Sequence, residues 1–348
     1  MKIVIVGAGI IGAALAHRLT QEGAEVTVIG AGAGATPASF GWINASFFLD
    51  DDHFRLRAEG IAAWRRLGAH VDWTECLCWE EEGAGFDAQH AALEALGYDV
   101  DVVEAAEFAR LEPNITPPAR ALRFMQEGIA APSITATALL EGVKSISGVT
   151  VRGITTRAGK VTGVDTAQGH IAADRVVVAA GIGSPALLAP LDVSLPMLSR
   201  PGVMMRTKPV QRLFDHILVT PGQELRQDRT GHIWAPVAAQ HQSDDTTAIE
   251  TPPHRLADMA ITRLNTLLPG ASLDWDHVML AERPVPQDGL PVMGRCGPDG
   301  LFVAVMHSGI TLAAITAELL GGAVLDKPLS NAQTALLAPY TPARFQSG

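Results

Sequence analysis

Three observations predict an α/β protein with a parallel, dinucleotide-type sheet and a discontinuous second α+β domain built on a largely antiparallel sheet. The chain opens on a strand, a glycine turn, a helix and a second strand. Buried apolar strands of the same kind return in the middle and near the end, and two intervening stretches change character. Strands alternating with helices call for a parallel sheet, and interrupting segments of another style call for a second domain.

Lys2-Ile3-Val4-Ile5-Val6 is a short β-branched run of the kind buried on both faces in a parallel strand. It stops at Gly7-Ala8-Gly9-Ile10-Ile11-Gly12, a G-x-G-x-x-G that opens an apolar helix through Leu19. The first glycine makes the tight turn, the second lets backbone approach a phosphate, and the third lets helix pack on strand. Free N–H groups and the partial positive charge at the helix start then face an anion. The strand Glu25-Val26-Thr27-Val28-Ile29 completes a Rossmann-type start. Met1-Lys2, the apolar run and Ala14-Leu15-Ala16 imitate a signal peptide, but three glycines are foreign to such a segment.

One position departs from the dinucleotide rule. Where Asp or Glu usually holds the adenosine ribose, the chain has Gly30, followed by Ala31-Gly32-Ala33-Gly34. No arginine occurs between Arg18 and Arg55, so a 2′-phosphate is not expected either.

A formal charge of −11 argues against a phosphate-backbone partner, and nucleic acid is excluded on that ground. Cys76 and Cys78 lack the second pair or histidines of a zinc site, so no metal is expected and the thiols fit the core of a cytoplasmic protein. No apolar stretch reaches the ~18 residues of a membrane span.

Ala35 to Ala45 fits two readings, a loop packed by Phe40 and Trp42 or a ligand-lining segment. Asp50-Asp51-Asp52 starts a helix with Phe54, Ala58, Ile61, Trp64 and Leu67 on one face, while Arg55, Arg57, Arg65 and Arg66 are read as a solvated face. A helix is expected from Ser133 to Ile146, a strand over Val149-Thr150-Val151, and a hairpin at Ala158-Gly159-Lys160 running on to Thr166. Asp174 to Val178 is a buried strand ending in Ala179-Ala180-Gly181, which suits close approach of a cofactor. Strands are expected near Val203 to Thr207 and His232 to Ala235, a loop over His241 to Pro253, and a helix from His254 to Leu267. Near the end, a proline- and glycine-fixed segment carrying Arg283 leads to the strand Leu301 to Val305. Met306-His307-Ser308-Gly309 follows, then a helix from Ile310 to Leu320 with Ser308 as N-cap and Gly321-Gly322 as terminator.

GAGIIGAALAHRL at the front, RVVVAAG in the middle, and RPVPQDGLPVMG with MHSGITLA at the end resemble the D-amino acid oxidase family of flavoproteins, in its glycine oxidase and sarcosine oxidase branch. The resemblance covers nearly the whole chain. It implies an FAD-binding domain from 1–70, 127–195 and 280–348 and a substrate domain from 71–126 and 196–279. It implies FAD held at Gly7, Gly9, Ile10, Ile11, Gly12, Ile29, Gly30, Ser39, Trp42, Ala180, Gly181 and Arg283, with Ile154 backbone at the adenine. Ser308, Gly309, Ile310, Thr311 and Leu312 would face the flavin pyrimidine, where helix N–H groups stabilise the charge of a reduced ring.

By the same resemblance, Arg283 matches the arginine that pairs with a substrate carboxylate, a task suited to two parallel hydrogen bonds; its alternative is a clamp on the proline-rich loop. His307 stands where glycine oxidase has a second arginine, and could donate to a carboxylate, touch the flavin or only pack. Ala281 stands where sarcosine oxidases attach flavin through cysteine, so FAD is expected to be noncovalent. The oxygen-activating lysine has no match, Lys208 and Lys327 lying far from its segment, so the acceptor is oxygen or a respiratory/quinone carrier. The expected reaction is oxidation of a small carboxylate-bearing amine, a D-amino acid or N-substituted glycine, with Arg283 and His307 as the catalytic candidates. The alternatives are an FAD-dependent 2-hydroxy acid dehydrogenase using His307 as base, and a non-catalytic flavoprotein subunit with a weakened site.

Overall fold

The computed structural model describes residues 1–32, 34–238 and 244–346. Ala33 of the glycine-rich stretch and His241 to Ser243 of the expected loop lie outside the described residues.

Six strands form the first sheet, in the order Val292–Arg295, Leu301–Val305, Arg175–Val178, Lys2–Val6, Glu25–Gly30 and Lys144–Ser147. All pairs are parallel except the Val292–Arg295 edge. The period of two splits the first strand cleanly. Ile3 and Ile5 join the core under the opening helix (Ile10–Gln21) and the closing helix (Gly309–Val324). Val4 and Val6 join a second core with Val164 and Val176, beneath the three-stranded antiparallel sheet of Val151–Arg157, Lys160–Thr166 and Gly169–Ala172. Burial on both faces explains why these strands read as unbroken apolar runs.

The glycine turn is fixed by close approach. Gly7 has φ +120°, and a Cβ there would stand 2.1 Å from the Ala179 carbonyl oxygen. A Cβ on Gly12 would stand 1.9 Å from the Gly7 carbonyl oxygen, so the third glycine serves helix-on-strand packing.

The second sheet has eight strands, in the order Trp275–Glu282, Pro201–Thr207, Ile233–Ala238, Gln223–Gln227, Ile217–Thr220, Cys76–Cys78, Arg120–Phe124 and Val100–Glu104. Only the Ile217–Thr220 pairing with Cys76–Cys78 is parallel. The helix Pro253–Leu267 covers one face, burying Ala257, Ala260 and Leu264 against Val203, Met205, Leu225 and Ala235.

Four local expectations need correction. The helix expected to Ile146 is Pro132–Leu139, because Lys144–Ser147 is drawn into the first sheet as its edge strand. The strand expected from Val149 begins at Val151. Gly321 and Gly322 do not end the closing helix, which runs to Val324; Gly321 is buried, and a Cβ there would meet Arg18 at 3.3 Å. Ser308 occupies the N-cap position with φ 54°, but its side chain makes no cap bond and turns to Arg57 instead.

Candidate functional site

A cavity of about 1150 Å³ lies between the edge of the first sheet and the uncovered face of the second. The opening and closing helices point their N-termini into it. Gly7, Gly9, Ile10 and Ile11 line it from one end of the chain, and His307, Ser308, Gly309, Ile310 and Thr311 from the other. The two helix tips are close neighbours, since a Cβ built on Gly309 would lie 3.6 Å from the Ile11 side chain.

Ile29, Gly30, Ser39, Trp42, Ala180, Gly181 and Arg283 also line the cavity. Gly12, Leu312 and Ile154 do not. Gly12 is spent on packing, Leu312 is buried with its N–H on the Ser308 carbonyl, and Ile154 packs against the second core. Thr150, Val151 and Arg152 of the same segment line the wall where Ile154 was expected.

Gly30 has a steric reason. A Cβ there would stand 2.7 Å from the Ala8 Cβ, so the methyl of the glycine turn fills the place of an acidic side chain. Thr36 caps the opening helix from outside, its Oγ1 accepting from the Ile10 N–H at 3.1 Å. In the Ala35 to Ala45 segment Phe40 is buried and edge-on to Trp42, and the segment also lines the cavity.

The polar end is where the side chains collect. Arg57 is 3% exposed, which overturns the solvated-face expectation. Its Nε donates to the Asn44 carbonyl at 3.2 Å and its Nη1 to Ser308 Oγ at 2.7 Å. Burial lowers the guanidinium to about 10, against an opposing pull from Glu127. The signal was in the sequence, because Phe54, Arg57, Ile61 and Trp64 share a three-four spacing and Arg57 falls inside the apolar stripe. Arg55 and Arg66 are exposed in ion pairs with Asp52 and Glu318.

Arg283 donates its N–H and Nε to the Arg200 carbonyl at 2.9 and 3.2 Å, so it does clamp the loop while lining the cavity. Burial lowers its guanidinium from the ordinary value, opposed by Asp244. His307 contacts Ser308 Oγ through Nδ1 at 3.0 Å, and burial, then Arg283 and Arg57, push it down to about 3. Its imidazole is therefore neutral at physiological pH.

Glu224 faces the same space. Leu225 points at the covering helix, so Glu224 and Arg226 alternate to the opposite face, where Arg226 donates to the Phe40 carbonyl. No sequence signal marks Glu224, since one acid in a short strand is unremarkable until the strand is known to be buried.

Bare glycine backbone at one helix start, a second helix start on the same cavity and room for both ends of a dinucleotide suit FAD. No cysteine is among the described lining residues, and Ala281 is, so no thiol is placed to attach a flavin. Lys208 and Lys327 are exposed, paired with Asp274 and Glu22, and neither lines the cavity. No group of metal-ligating side chains occurs among the described residues, and no helix of theirs is long and apolar enough to cross a membrane.

Comparison with known proteins agrees. The FAD dependent oxidoreductase (DAO) family profile matches residues 2–322. A glycine oxidase of Pseudomonas aeruginosa is 25% identical over 98% of each chain. A D-amino acid dehydrogenase of Cereibacter sphaeroides is 34% identical over 51% of this chain and 42% of its own length. The solved structure of glycine oxidase from Geobacillus kaustophilus superposes with a TM-score of 0.85 at 22% identity, covering 98% of both chains. The chain therefore belongs to the FAD dependent oxidoreductase (DAO) family and is a flavoenzyme with noncovalent FAD.

Proposed function

We propose that this enzyme oxidises a small carboxylate-bearing amine, a D-amino acid or N-substituted glycine, to an imine that water then hydrolyses. The observation that carries this is the pair of guanidiniums, buried Arg57 and part-buried Arg283, on the cavity that the two helix tips share. FAD, when bound, supplies the acceptor for the hydride from Cα–H at its N5. Arg283 would bind the carboxylate and so fix which C–H bond is presented. Glu224 adds a buried acceptor for a substrate N–H. Met204 and Pro236 would supply an apolar surface around the reacting carbon. No side-chain base is required when the substrate amine is neutral, because its lone pair drives the hydride out.

The 2-hydroxy acid alternative needs a base near neutrality, and an imidazole held near 3 is a poor one. The acceptor is proposed as oxygen or a quinone-type carrier, since the relatives above are named as an oxidase and a dehydrogenase. Anaerobic mixing of the holoenzyme with D-amino acids, N-methyl amino acids and 2-hydroxy acids tests the substrate class. Bleaching of the flavin by the amines supports the proposal; bleaching by the hydroxy acids alone defeats it.

A further inference from the structure

Behind the cavity wall lies a carboxylate that neither the cofactor site nor the proposed reaction uses. Glu127 is fully buried. Its Oε2 accepts from Trp42 Nε1 at 2.8 Å, and its Oε1 from the Ala45 N–H at 3.2 Å, the Ser46 N–H at 3.1 Å and the Tyr98 hydroxyl at 2.8 Å. Indole and amide nitrogens can only donate, so this shell suits an acceptor without a proton of its own. The segment it grips alternates. Ala45 and Ser46 bind Glu127 through their amides, Asn44 and Phe47 line the cavity, and Trp42 does both. On its far side the segment is tied to the closing helix, the Asn44 N–H donating to Thr311 Oγ1 and that hydroxyl to the Trp42 carbonyl, both at 3.2 Å.

We propose that Glu127 is a positioning residue whose ionised carboxylate holds the 42–47 wall in register against the tip of the closing helix, so that protonation loosens this wall around the bound FAD. The proposal rests on FAD in the cavity and not on the substrate class.

Burial pushes the Glu127 carboxyl up to about 7, against the bonds from Ser46, Tyr98 and Ala45 that lower it. The groups that face it hold one charge state across that window. Arg57 on the helix Asp51–Leu67 stays charged, while Tyr98 and the thiols of Cys76 and Cys78 are raised and stay neutral.

The test is a pH titration of the FAD-loaded full-length protein without substrate, from pH 5.5 to 8.5, reading the visible flavin spectrum and bound-flavin fluorescence anisotropy. The wild type should show one transition near pH 7. Glu127→Gln turns an amide donor toward a shell of donors and should show no transition, with the acid-form signal throughout. Tyr98→Phe removes one donor and keeps the acid, so it should move the midpoint upward by about one pH unit, tenfold in proton affinity. A wild-type transition that survives in Glu127→Gln, or an unmoved midpoint in Tyr98→Phe, overturns the proposal. Because no substrate is present, this outcome is independent of which amine the enzyme oxidises.

Discussion

The two walls of the cavity are built by opposite means. The first-sheet wall works by leaving side chains out: Gly7, Gly9, Gly30 and Gly309 expose backbone, and added atoms at Gly7, Gly9 and Gly30 would meet a neighbour within 3.0 Å. The second-sheet wall works by putting charge in, with Glu224, Glu282 and Arg283 beside apolar residues and Arg57 reaching the space from the helix beneath. The first wall has little steric latitude and a general ligand; the second sets chemistry through a few side chains. Substitutions on the two should therefore separate cofactor retention from turnover.

The largest effect is expected at the packing glycine. Gly12→Ala places a methyl 1.9 Å from the Gly7 carbonyl oxygen and has nowhere to relax, so purified protein should have lost most of its flavin and more than about 4 kcal/mol of stability. Retention of stoichiometric FAD would show that this wall is more forgiving than its geometry implies.

Next comes Arg283→Ala, which should keep FAD and lower kcat/KM for carboxylate substrates about a hundredfold, roughly 3 kcal/mol. Arg57→Met keeps the volume of the buried stem and removes the charge, and should also lower kcat/KM with FAD retained. An equal fall in kcat/KM on carboxylate and decarboxylated amines would remove the assignment.

A third contrast is in pH. Burial, then Arg57 and His307, depress His53 to about 3. The unfolded chain binds a proton near pH 6.5 that the folded chain refuses, so stability is full above that value and falls as pH drops from 6.5 toward 3. Thermal denaturation of wild type and His53→Gln between pH 7.5 and 5 should show the steeper fall in the wild type.

The smallest effect is at Gly30. Gly30→Glu alone should not improve FAD affinity, because Ala8 fills the space; Ala8→Gly with Gly30→Glu should tighten it by about 1 kcal/mol, read by flavin titration.

What could be read from residues alone follows the same division. A wall made of glycines is written locally, as G-x-G-x-x-G at the front and Ser308-Gly309 at the start of the closing helix, so Gly7, Gly9 and Gly309 were legible. The wall made of charge was not, because Glu224 depends on which face of a strand the helix Pro253–Leu267 covers. Arg57 and Glu127 depend on burial, and acidic or basic residues default to solvent until burial is known. The helix expected to Ile146 failed for a related reason: Lys144–Ser147 has little strand character and is recruited only by its neighbour Thr27–Gly30.

The central claim is that one dinucleotide binds both helix starts. Amide hydrogen exchange of the apoprotein, followed as FAD is added, measures this directly. Protection should rise at residues 10–12 and at residues 309–311 with the same FAD midpoint. Protection confined to residues 10–12, with 309–311 exchanging as before, would contradict it.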